Sequence, residues 1–94
     1  MSTFSTNEAD QRQRALNQAL QGVQGSIVLY CAWAFDLEDE IRALRSKEQS
    51  TAKEFSEQQK AIAFKERQVN EIRSALNRLE VRAHAIARAL GLAP

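Results

Sequence analysis

From residue 16 onward, mostly apolar positions recur at alternating spacings of four and three: Leu16, Leu20, Val23, Ile27, Tyr30, Ala34, Leu37, Ile41 and Leu44. Such spacing lines one face of an α-helix and, held over several heptads, predicts a packing seam. The pattern dissolves at Ser46-Lys47-Glu48-Gln49-Ser50-Thr51 and resumes through Phe55, Ile62, Val69, Ile72, Leu76, Leu79, Ala83, Ile86 and Leu90. Ser5-Thr6-Asn7-Glu8 and Thr51-Ala52-Lys53-Glu54 both have the spacing that satisfies free amide donors at a helix start, and Gly91 offers a left-handed stop. The reading is a helix over 6–46, a turn at 46–51 and a helix over 52–90, in a single domain, 1–94.

A chain that reverses in that turn brings together residues whose numbers have a constant sum. The pairs Leu44 with Phe55, Leu37 with Ile62, Tyr30 with Val69, Ile27 with Ile72, Val23 with Leu76, Leu20 with Leu79 and Leu16 with Ala83 each sum to 99. Two seams read independently therefore agree on a long antiparallel helical hairpin, coiled-coil-like, with arms of roughly 60 Å at 1.5 Å per residue. The fold class is all-α, and an oligomeric bundle is expected because a two-layer body this small buries little core.

Gly22 and Gly25 interrupt the first arm, each costing about 1 kcal/mol relative to Ala inside a helix. The seam stays in phase across them, which predicts a continuous or kinked helix. A break there would instead make residues 6–21 a separate helix and the whole a three-helix body.

One segment exceeds what a single seam can use. In Ile27-Val28-Leu29-Tyr30-Cys31-Ala32-Trp33-Ala34-Phe35, the seam takes Ile27, Tyr30 and Ala34 and leaves Val28, Leu29, Trp33 and Phe35 pointing elsewhere. A helix apolar on all sides is normally covered on all sides. Phe64 on the second arm adds to this belt. The candidate interface is thus Val28, Leu29, Tyr30, Trp33, Phe35 and Phe64, covered by a second copy or by another protein unless the residues 6–21 fold back over it.

Composition sharpens this picture. With one Pro and three Gly in 94 residues, strands are not expected. The nine-residue run Ile27 to Phe35 falls far short of the roughly 20 residues of a membrane span. A single cysteine, Cys31, rules out an intramolecular disulfide, and no secretory leader pattern opens the chain, so a cytoplasmic location is expected. Cys31 is read as a buried, inert thiol within the belt. The net charge of +1 conceals a gradient, −2 over residues 26–48 and +3 over residues 49–94. That balance supplies no strong basic stripe of the kind that nucleic-acid binding relies on.

Candidate chemistry is sparse. Asp36, Glu38, Asp39 and Glu40 offer carboxylates, but consecutive helical positions splay, which suits a solvated face or an acidic docking face better than acid-base work. Glu80 and His84 share a helix face, yet a metal site needs three or four ligands. No metal and no cofactor is expected. Arg73, Arg78 and Arg82 form the best candidate anion-binding set, although Glu and Arg mixed along a helix usually pair with one another. No catalytic residue is proposed, and an enzyme is not expected.

Together these features predict a non-enzymatic interaction module that is homo-oligomeric, with no membrane partner: an adaptor, or a small inhibitor that occludes a larger protein, host or defence proteins included, as small phage and bacterial regulators do. The alternative is an oligomer that binds a phosphate-bearing ligand or RNA through its arginines.

Overall fold

The computed structural model describes residues 2–92, with side chains from residue 7 to residue 92. The chain forms two helices, α1 (Ser2–Ser46) and α2 (Ala52–Ala89), packed as a hairpin, with no strand among the described residues. The predicted turn and the start of the second helix are met to the residue. α1 passes Gly22 and Gly25 without a break, so residues 6–21 are not a separate helix. A β-carbon added at either glycine would meet nothing within 4 Å, so no close neighbour requires them. The start of α1 departs from expectation: it begins at Ser2, because Ser2-Thr3-Phe4 contains no residue that breaks a helix. The Ser5 side chain of the expected start signal lies outside the described side chains.

The chain divides into two compact units, a turn unit and a terminal unit. The turn unit, Leu29–Leu76, carries the core. Leu37, Ile41, Ile62, Val69 and Ile72 are each at most 7 % exposed, and Tyr30, Ala34, Leu44 and Leu76 pack against them. These are seam residues of both arms, as the heptad reading requires. Phe55 is the exception. Expected opposite Leu44, it is 56 % exposed, and Gln58 is buried in the same layer instead. The Gln58 amide donates to the backbone carbonyls of Leu44 and, at 3.2 Å, of Lys47. The last carbonyls of a helix have no partner within it, and Gln58 supplies one from the other arm.

The turn is fixed by local hydrogen bonds. Thr51 Oγ1 accepts from the Glu54 amide at 3.1 Å, and the Glu54 carboxylate accepts from the Ser50 amide and hydroxyl at 3.0 Å each. This reciprocal arrangement is the expected start signal of α2. The Ser50 amide, then its hydroxyl, hold the Glu54 carboxyl below its ordinary value.

The terminal unit, Met1–Val28 with Asn77–Pro94, has one buried hydrophobic residue among those described, Val23, at 8 % exposure. Leu16, Leu20, Ile27, Leu79, Ala83, Ile86 and Leu90 lie along its seam and are only partly covered. α2 stops as expected: Gly91 has φ 76°, the Leu92 amide donates to Ala87 O at 2.8 Å and the Gly91 amide to Arg88 O at 3.0 Å. This is the double hydrogen bond of a left-handed helix terminus.

Candidate functional site

Within the turn unit the hairpin has two unlike flanks, which follow from where the seam leaves its neighbours. On one flank, Arg73 donates to Glu38 at 2.7 Å and Arg45 to Glu66. These pairs edge a groove of about 540 Å³ lined by Glu38, Ile41, Arg42, Arg45, Glu66, Val69, Asn70 and Arg73. Arg42 in turn donates to Asp39 at 2.6 Å. Every arginine lining the groove therefore already holds a carboxylate.

The other flank is aromatic. Trp33 stacks on Tyr30 with ring centroids 6.2 Å apart, and both line a hollow of about 220 Å³ with Gln68, Glu71, Ile72 and Ala75. Leu29, one turn before Trp33 on α1, is 72 % exposed and Trp33 itself 50 %. On α2, Phe64 stands one turn before Gln68, so it extends the same flank, and it is 58 % exposed. Farther along this flank Lys65 donates to Glu40 at 2.8 Å.

The expected apolar belt is thus present as exposed side chains but is not one surface. Tyr30 is half-buried at the seam. Leu29, Trp33 and Phe64 belong to the aromatic flank. Phe35, two positions beyond Trp33 and so about 200° around α1, lies on its outer face with Cys31 one turn before it. Cys31 is exposed, which corrects the buried reading: the outer face of α1 has no neighbour to cover it. Val28, in the terminal unit, is 66 % exposed.

The acidic set does not converge. Glu38 is held by Arg73, Glu40 by Lys65 and Asp39 by Arg42, each in its own direction, and Asp36 alone of the four has no ion pair among the described residues. The candidate anion set is also divided. Arg73 is engaged by Glu38, whereas Arg78 and Arg82 belong to the terminal unit, where no described arginine makes an ion pair. Among the described residues no three His, Cys, Asp or Glu side chains could hold a metal ion, and no helix is long and apolar enough to cross a membrane.

Gln58 and Lys65 were passed over in reading the sequence because they are polar. Both occupy seam positions by spacing, four residues before Ile62 and Val69, and that spacing was the available signal. No protein-family model matches the chain, no curated protein matches its sequence and no solved structure matches its fold.

Proposed function

We propose that this chain is a non-enzymatic helical interaction module. It docks another protein through exposed apolar side chains, as an adaptor or as a small inhibitor that occludes a surface of a larger protein; a phage or bacterial regulator directed at a host or defence protein would have this character. One observation carries the reading: Val28, Leu29, Trp33, Phe35 and Phe64 are all half or more exposed, in a chain with six buried hydrophobic residues among those described. Single exposed apolar residues are ordinary, but aromatic ones gathered on one short stretch of helix are the usual anchors of protein interfaces. No catalytic residue, metal or cofactor enters the proposal.

The test is native mass spectrometry of the full chain purified gently from its source cells, beside a Phe35→Glu variant. A retained protein mass that is lost from the variant supports the reading. A retained set unchanged by the substitution, or none at all, overturns it for the outer face of α1.

The alternative, a binder of phosphate-bearing ligands or RNA, is favoured by the arginines of the terminal unit. Arg12, Arg14, Arg78, Arg82 and Arg88 stand there against Glu8, Asp10 and Glu80. If it holds, an RNA duplex binds with salt-dependent affinity, and Arg78→Ala with Arg82→Ala reduces both the affinity and its salt slope. RNA binding unaffected by the pair of substitutions removes this reading.

A further inference from the structure

We propose that the terminal unit is an opening device: the arm of α1 before Gly22 parts from α2 by bending within Gly22-Val23-Gln24-Gly25-Ser26, while the arms of the turn unit stay paired. The inference goes beyond the interaction reading and does not depend on what the chain binds.

The ties between the arms are gathered at one end of each helix. Side-chain contacts that cross from arm to arm join Arg45 to Glu66, Lys65 to Glu40, Arg73 to Glu38, and Gln58 to the Leu44 and Lys47 carbonyls, and all of them lie in the turn unit. Among the described residues the terminal unit has no such tie. Its apolar tie is thin as well, since Leu16, Leu20, Leu79 and Leu90 stay partly exposed even with the arms together. Parting these arms therefore exposes less new apolar surface than parting the turn unit, and it costs less.

The bend has a definite place. Gly22 and Gly25 stand one turn apart in α1, and glycine weakens a helix more than any residue except proline. Neighbouring glycine and serine, as in Gly25-Ser26, are also a recurrent cause of sharp helix bends. A β-carbon at either glycine would meet nothing within 4 Å, so close packing gives no reason for them. Val23, the buried hydrophobic residue of this unit, sits between the two. The seam is thus held at the bend and loose beyond it. The facing stretch of α2 has no matching weakness: residues 77–89 include Ala83, Ala85, Ala87 and Ala89 and no glycine. The arm that moves is that of α1.

The experiment measures distances between paired spin labels in the full chain by double electron–electron resonance, with labelled chains diluted in unlabelled parent. Cys31→Ser is the background, since Cys31 is exposed. Gln11→Cys with Arg88→Cys spans the terminal unit, and Ala32→Cys with Arg67→Cys spans the turn unit, all four positions being exposed. Gln11 stands about 16 Å from Gly22 along the helix, so a bend of roughly 40° moves its label by about 10 Å. The terminal pair is expected to show a short distance and a second one longer by that amount, the longer in on the order of one chain in ten. The turn pair is expected to show a single distance. Gly22→Ala with Gly25→Ala is expected to lower the longer population about tenfold, because both glycines lose their helix-weakening effect. Gln24→Ala, an exposed position in the same turn, leaves it unchanged. A single short distance at the terminal pair, or two distances at the turn pair as well, overturns the opening. A longer population indifferent to the glycine substitutions, or lowered as much by Gln24→Ala, overturns the hinge.

Discussion

The turn unit and the terminal unit are built from the same two helices and the same heptad spacing, yet they are held together differently. The turn unit buries five hydrophobic residues in one cluster and adds four ion pairs, while the terminal unit buries Val23 alone and has no ion pair among its described residues. The spacing is equal; the side chains are not. The turn unit fills its seam with Leu, Ile and Val on both arms, whereas the terminal unit sets Ala83 opposite the Leu16 layer and places Gly22 and Gly25 in α1. A seam decides which residues meet, and their volume decides how much apolar surface leaves water.

The largest expected effect tests that contrast directly. Ile72→Ala, at a residue 4 % exposed, is expected to cost about 2–4 kcal/mol in urea unfolding, and Leu20→Ala, at a half-covered position, about 1 kcal/mol. Equal losses would break the distinction between the units. Amide exchange sharpens it: the slowest amides are expected within residues 29–76.

Next in size is Gln58. Gln58→Ala removes the cross-arm donor of the Leu44 and Lys47 carbonyls, which keep only the 3.3 Å contacts from the Lys47 amide and the Gln49 side chain, and is expected to cost about 1 kcal/mol, more than Phe55→Ala one turn away. The reverse order would return Phe55 to the seam where the spacing first put it. Gly22→Ala and Gly25→Ala are each expected to raise stability, by about 0.5–1 kcal/mol, since the added methyl meets nothing and the unfolded chain loses freedom. A loss of stability from either would mean that α1 depends on a glycine there.

The smallest effect concerns the start of α2. The Glu54 carboxyl titrates lower in the folded chain than in the unfolded one, so its contribution is present above its ordinary range and is lost as pH falls through the lower, folded value. Acid unfolding of Glu54→Gln beside the parent measures it. The expected result is a shallower decline on the acid side, and identical profiles would remove the role of the Ser50 contacts.

Much of this fold was legible in the residues. Both seams, the turn, the start of α2 and the stop at Gly91 were readable because each has a local cause that acts within one or two turns of helix. Gln58 was not, because a polar side chain at a seam position declares itself only once the other arm presents carbonyls within its reach. The exposed belt was legible as a surplus of apolar residues over what one seam can use. Its partition into an aromatic flank and an outer face was not, since that depends on which side of α1 meets α2. The splay of the acidic run was legible, because neighbours in sequence lie about 100° apart around a helix, whereas its pairing with Lys65 and Arg73 was not, since those bases come from the other arm. No local pattern in the sequence names a partner.

The stack of Tyr30 on Trp33 has an optical consequence. The chain has one tryptophan and one tyrosine, and their rings sit 6.2 Å apart beside the same hollow. Nearly all of the molecule's near-ultraviolet absorption and emission therefore originates at a single place. Light absorbed by the phenol is handed to the indole, whose colour of emission follows the water around it. The protein carries its own lamp on the aromatic flank, and the spectrum of an unlabelled sample reports whether that one surface is wet or covered while remaining silent about Phe35 and the terminal unit.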